Sequence, residues 1–197
     1  MKRYCFIDAS NLFYGGEKSL GWKIDYKKLI RYIKEKYRVK KVFYYGGVEL
    51  NGFPYSVLDK KPLNLKKLLK YLNKKKSVSE KIIKKIKFYL KLNSFGYTLK
   101  LKPVKIFKDV NNNIIKKANC DVDMTFDLMF YFNKYSSVLI LSGDGDFTTV
   151  LKYLISIDKE VIILARGERT AKELKQLVKG NFKDFSRLKN VLEFIKK

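Results

Sequence analysis

Val138-Leu139-Ile140-Leu141 is an unbroken apolar run followed at once by Ser142-Gly143-Asp144-Gly145-Asp146. A strand apolar at every position, rather than at alternate ones, belongs at the centre of a parallel sheet covered on both faces. The start of the chain obeys the same rule. Arg3–Asp8 reads as a short buried strand that ends in an acid. Asp25 can cap a helix carrying Leu29, Ile30, Ile33 and Tyr37 on one face. Val42-Phe43-Tyr44-Tyr45 follows as a second strand, stopped by Gly46-Gly47. The order β-α-β opens a parallel α/β sheet, because parallel neighbours need a crossover connection.

Further along, the stretch 48–94 is less regular. Pro54 and Pro62 punctuate a loop, 63–72 fits a short helix, and Ser79 caps a clearer one with Ile82, Ile83, Ile86, Tyr89 and Leu90 on its apolar side. Lys81, Lys84, Lys85, Lys87 and Lys91 face elsewhere, as solvated surface. Residues 97–104 predict a third strand, and Asn111-Asn112-Asn113 a polar turn. The spacing of Val122, Phe126, Met129 and Phe130 predicts a helix over 121–132 buried on that face. Helix over 147–155, strand over 161–164, helix over 170–178 and a tail over 182–195 packing back on the sheet complete the chain. The expectation is one doubly wound α/β domain spanning 1–197, with a lysine-rich, partly helical insertion at about 48–95.

Composition narrows the chemistry. The 197 residues suffice for a full hydrophobic core. No apolar run approaches the ~20 residues of a membrane helix, and an acid at position 8 comes too soon for a signal peptide, so a cytoplasmic protein is expected. Cys5 and Cys120 are the only cysteines and form no CxxC pair; both read as structural thiols. Histidine is absent, which excludes Ser-His-Asp and Cys-His nucleophiles, histidine proton shuttles and the usual zinc sites. Hydrolytic chemistry would have to run on carboxylates holding a hard cation such as Mg²⁺ or Mn²⁺. The formal charge of +25, from 44 basic and 19 acidic residues, attracts polyanions, nucleic acid foremost. Only six of those bases are arginine, though, and lysine accumulates on any solvated face.

Ligands of open parallel sheets bind beyond the carboxyl ends of the strands. Asp8 closes the first strand, and Asp144 and Asp146 follow the apolar one, where glycines let the backbone turn sharply. Asp121, Asp123 and Asp127 begin a helix, the last two four apart and on one face. Singly, each has a structural explanation as a helix or turn cap. Together they place three acidic groups at one sheet edge, an arrangement whose mutual repulsion a cation relieves.

The pattern Ile7-Asp8-Ala9-Ser10-Asn11-Leu12 resembles the N-terminal IDxxN motif of NYN domains, a branch of the PIN-like nucleases. The segment from Lys117 through Asp127 is similar to their KGVDVxLxxD motif, with Ala118-Asn119-Cys120 in place of the usual Gly-Val. Ser142-Gly143-Asp144-Gly145-Asp146-Phe147 is similar to SGDxDF. The three occur in the family's order and span nearly the whole chain, closest to the LabA-like group. The resemblance implies a PIN-like, Rossmannoid three-layer fold with a mainly parallel sheet flanked by helices, and a metal-dependent ribonuclease, an endonuclease by preference. Asp8, Asp121, Asp144 and Asp146 match the acidic, metal-holding cluster; Asn11 and Ser142 match polar positions that support it, and Asp123 and Asp127 are assigned supporting places. One or two Mg²⁺ or Mn²⁺ ions are the implied cofactor. RNA is the implied partner, single-stranded in preference, with DNA left open and no nucleic-acid-binding residue singled out. A homodimer is compatible with such a fold.

Two other readings compete. Asp121-Val122-Asp123-Met124-Thr125 superficially matches the DxDxT of haloacid dehalogenase-type phosphatases, but a nucleophile of that kind follows a buried strand, and Lys116-Lys117-Ala118-Asn119-Cys120 is not one. A non-catalytic RNA-binding or assembly module keeping the fold is the stronger rival.

Overall fold

The computed structural model describes residues 2–108, 110 and 112–195. In chain order it comprises β1 (Arg3–Asp8), α1 (Tyr26–Tyr37), β2 (Val39–Val48), α2 (Leu65–Asn73), α3 (Glu80–Phe95), β3 (Thr98–Pro103), β4 (Lys105–Lys108), β5 (Ile114–Lys117), α4 (Asp121–Phe130), β6 (Ser137–Leu141), α5 (Thr148–Ser156), β7 (Glu160–Ala165), α6 (Lys172–Val178), β8 (Phe182–Asp184) and α7 (Lys189–Leu192), joined by loops and short helical turns. Six strands form one sheet in the order β3-β2-β1-β6-β7-β8, every neighbouring pair parallel. The chain winds outward from β1 to β3, returns to lay β6 against the other side of β1, and winds outward again. Strand order therefore reverses between β1 and β6, and the crevice at a sheet's reversal point is where such folds bind ligands.

The unbroken apolar strands are buried on both faces, as their composition requires. Cys5, Ile7, Val42, Tyr44, Leu139 and Leu141 pack beneath α1, α2 and α3. Tyr4, Phe6, Phe43, Tyr45, Val138 and Ile140 pack on the opposite layer, built from α4, α5 and α6. The result is three layers, the expected architecture. Asp25 caps α1 by accepting from the Lys27 and Lys28 amides, and Leu29, Ile30, Ile33 and Tyr37 form its buried face. Trp22 stacks on Phe185 at 5.8 Å, fastening the C-terminal tail over this layer.

Three expectations need correcting. Gly46 and Gly47 do not stop β2, which runs on to Val48 in register with Leu101 and Lys102 of β3. The glycines serve close approach instead: a Cβ on Gly47 would lie 2.6 Å from the Ala118 Cβ, and the Tyr89 hydroxyl donates to the Gly47 carbonyl at 2.7 Å. Second, α4 buries Met124, Asp127 and Leu128, while Val122, Phe126 and Phe130 face solvent. Third, β4 and β5 form an exposed antiparallel hairpin where only a turn was expected; Asn111 of that turn lies outside the described residues. Residues 9–20, which the sequence left unassigned, are helical, one turn after Asp8 followed by a π-helical segment, Leu12–Glu17. No helix among the described residues is long and apolar enough to cross a membrane.

Candidate metal centre

Asp8 ends β1 beside the β1–β6 reversal and is almost wholly buried, at 8% exposure. One carboxylate oxygen accepts from the Ser10 amide at 2.9 Å and the Asn11 amide at 3.1 Å, which starts the helical turn there. The other accepts from the Ser142 hydroxyl at 3.2 Å, across from the end of β6. Capping and site-building are thus one job for this residue. Asn11 fastens the same two strand ends a second time, its Oδ1 accepting from the Gly143 amide at 2.9 Å.

Beyond β6 the chain turns through Gly143. A Cβ there would meet Thr170 Oγ1 at 2.7 Å and Thr170 Cα at 2.9 Å, so only glycine lets the loop after β7 close over this turn. The Ala171 amide donates to the Gly143 carbonyl at 2.9 Å and holds that loop in place. The Asp144 amide donates to Ser142 Oγ at 3.2 Å, and the Asp144 carboxylate caps the next turn through the Asp146 amide at 3.0 Å. Asp121, the first residue of α4, has its own amide held by Asn119 Oδ1 at 2.9 Å. Asn119 and Thr170 were missed from sequence. Asn119 had a readable signal, an Asx side chain two residues before the helix; Thr170 had none, since its role depends on a loop fold.

One carboxylate oxygen from each of Asp121, Asp144 and Asp146 lies within 4.8 Å of the others. Burial pushes Asp121 above the ordinary carboxylate range, and the charges of Asp8, Asp144 and Asp146 push it further, with Lys117 opposing. Burial likewise raises Asp8, against the hydrogen bonds from Asn11, Ser142 and Ser10, and the Asp144 charge adds to the rise. The fold holds these acids where each makes the next harder to ionise, a cost that a cation bound among them offsets. The donor set is all oxygen. Cys120 stands nearby, its thiol pushed up to about 11 by burial and donating to the Ala118 carbonyl at 3.7 Å. A hard divalent cation fits this set.

Asp123 and Asp127 are turned elsewhere. Asp123 binds the Lys102 ammonium at 2.6 Å. Asp127 is buried, bound to Lys100 at 2.9 Å and accepting from the Tyr45 hydroxyl at 2.7 Å. Asp123 ties α4 to β3, and Asp127 ties it to β3 and β2.

The profile of the NYN domain matches residues 3–186, nearly the whole length. The chain belongs to the NYN domain family. A relative, the low amplitude and bright protein LabA of Synechococcus elongatus, is 25% identical over 172 residues, covering 86% of this chain and 76% of that protein. A crystal structure of a protein of unknown function from Vibrio parahaemolyticus shares the fold, with a TM-score of 0.61 at 17% identity over 92% of this chain and 91% of that one. A looser likeness links the chain to T5 5′-exonuclease with divalent metal ions (zinc) bound, at TM-score 0.44 and 15% identity over 82% of this chain and 55% of that one. This NYN chain joins a parallel α/β sheet to an acidic cluster at the reversal of its strand order.

Proposed function

We propose that this NYN protein is a metal-dependent ribonuclease that hydrolyses internal phosphodiester bonds of single-stranded RNA, with Asp8, Asp121, Asp144 and Asp146 holding Mg²⁺ or Mn²⁺. The observation that carries the reading is the convergence of three carboxylates within 4.8 Å, with buried Asp8 beside them, at the crevice where the strand order reverses. Such a cation supplies Lewis-acid chemistry, making water a competent nucleophile near neutral pH and offsetting charge that builds on the phosphoryl oxygens.

The chain's own residues do the rest. Asp8 is locked by two amides and the Ser142 hydroxyl, so its position costs no reorganisation when substrate arrives. Asn11 and Ser142 keep the ends of β1 and β6 at fixed separation and so fix Asp8 against Asp144. Asp146 is exposed and Asp121 and Asp144 are partly so, which leaves the cluster open to a polymer from solvent. With no histidine in the chain, no imidazole competes with the carboxylates for the role of base.

The test is cleavage of a labelled single-stranded RNA, and of its DNA counterpart, in Mn²⁺, Mg²⁺ or EDTA, beside Asp144→Asn. Metal-dependent cutting that the substitution lowers by at least about a hundredfold is expected, the scale on which electrostatic catalytic groups act. Equal cutting by the variant would remove the site assignment. Tight RNA retention with no cutting by either protein would instead favour a binding module.

A further inference from the structure

The β4–β5 hairpin stands apart from the main sheet, with every residue of both strands exposed. Two strands alone are marginal in water, so this pair has to be held from its base. The Val104 amide donates to the Val48 carbonyl at 2.9 Å, and Lys116 binds Glu49 at 2.6 Å. Strand periodicity then divides the hairpin into two faces. On one, Ile106 stands opposite Lys116 and Lys108 opposite Ile114, and Ile106 and Lys116 line a cleft with Glu49 and Ile82. The other carries Lys105 opposite Lys117, and Phe107 opposite Ile115.

Folding does not explain the composition of that second face. Like charges directly opposite one another weaken a strand pair. Among the described residues, neither Lys105 nor Lys117 is ion-paired with a carboxylate. Next to them the Phe107 ring is 46% exposed and, among the described residues, meets no other ring. Exposed apolar groups alone would leave the occupant open, but two uncompensated cations select an anionic one. Ammonium groups take phosphates and an exposed ring takes an unpaired base, the two contacts by which single strands are held. Position adds to composition. Only three residues separate Lys117 from Asp121, a reach of at most about 14 Å. Burial and the neighbouring acids push Asp121 upward, and Lys117 is the cation that opposes them.

We propose that this face of the hairpin holds the RNA strand beside the candidate metal centre, with Lys105 and Lys117 on phosphates and Phe107 stacked on an unpaired base. A bound phosphate relieves the repulsion that the register imposes on the two lysines. A duplex keeps its bases stacked on one another and offers the ring nothing, so the hairpin favours single strands. For the strand's role as substrate the proposal rests on the nuclease reading; the grip itself does not.

Fluorescence anisotropy of a labelled single-stranded RNA tests it, with the intact protein in EDTA between about 50 and 200 mM salt. Lys105→Gln combined with Lys117→Gln is expected to flatten the log–log salt slope by about 1.4, two phosphates at about 0.7 each. Removing the same charge from exposed positions of α3, as Lys87→Gln with Lys91→Gln, is expected to leave the slope as it was. Phe107→Ala is expected to weaken single-strand binding at least about fivefold without changing the slope, and to leave duplex RNA binding unaltered. Far-UV circular dichroism establishes that each variant is folded, and should the hairpin lysine variant unfold, Phe107→Ala decides. Equal flattening by the hairpin and α3 pairs overturns the proposal, because the general field then holds the strand. So does wild-type affinity in Phe107→Ala, or a wild-type protein with no affinity for RNA. Metal-dependent cleavage judges the nuclease reading separately. A protein that cuts nothing yet loses its grip in the hairpin variants keeps this proposal and loses that reading; one that cuts RNA while the hairpin variants bind as before does the reverse.

Discussion

Asp121 and Asp127 lie on one helix six residues apart and carry opposite energetic signs. Asp127 is satisfied: Lys100 and the Tyr45 hydroxyl share a side chain only 7% exposed. Asp127→Ala should therefore cost about 2 kcal/mol in urea unfolding, because a buried phenol and an ammonium lose their acceptor, while solvent at the partly exposed lysine trims the loss. Asp121 is unsatisfied, pressed by Asp8, Asp144 and Asp146. Asp121→Asn should leave metal-free thermal stability equal or higher, while shrinking the rise in melting temperature that Mn²⁺ produces in the wild type. A lower metal-free melting temperature with an undiminished Mn²⁺ response would show the acid to be structural. The places of Asp8, Asp144 and Asp146 were legible because all three stand at or just beyond the end of an apolar strand, the last two beside glycine. Asp123 and Asp127 were legible only as sharing a face. Their partners, Lys102 and Lys100, are fixed by the path of β3, which spacing along a helix does not encode.

At the level of elements, the apolar runs of β1, β6 and β7 and the capped face of α1 were readable, since burial on both sides or on one stripe leaves an unmistakable pattern. Two of the failures share a cause: local rules were overridden by a neighbour. Glycine ordinarily weakens a strand, yet Gly47 lets β2 pass against Ala118, three residues before Asp121. The periodicity of α4 identified a helix and mistook its outer apolar stripe for its inner one, because the inner face buries the polar Asp127. The β4–β5 hairpin, exposed along both strands, carries no burial pattern to read. Gly47→Ala tests the override. Its new Cβ would sit 2.6 Å from the Ala118 Cβ, and neither atom is the end of a flexible chain. A loss of about 1–3 kcal/mol is expected, with cleavage falling further than stability alone explains, because Ala118 leads into Asp121. Unfolding midpoints and cleavage rates of the folded fraction separate the two effects.

For the whole molecule, the question is whether the charge of +25 grips substrate or merely solvates the surface. Paired lysines contribute nothing to a phosphate grip, and Lys100, Lys102 and Lys116 are all bound to carboxylates. If the remaining cations line a path to the acidic cluster, each phosphate they hold releases condensed counterions, and affinity must fall steeply with salt. A strand held at four to seven phosphates would give a log–log slope between about −3 and −5, which is roughly a sixty- to thousandfold loss between 50 and 200 mM salt. The measurement uses Asp144→Asn in EDTA, so that binding is read without cleavage, and fluorescence anisotropy of a labelled single strand. Lys102→Gln should leave the slope unchanged, since its charge is already spent on Asp123. A slope near zero would mean that the lysines are solvated surface and that contact with RNA is confined to the cluster itself. A steep slope shared equally by single and double strands would assign the grip to the backbone alone, and the preference for single strands would then have to arise where the bases are exposed, at the mouth of the crevice between β1 and β6.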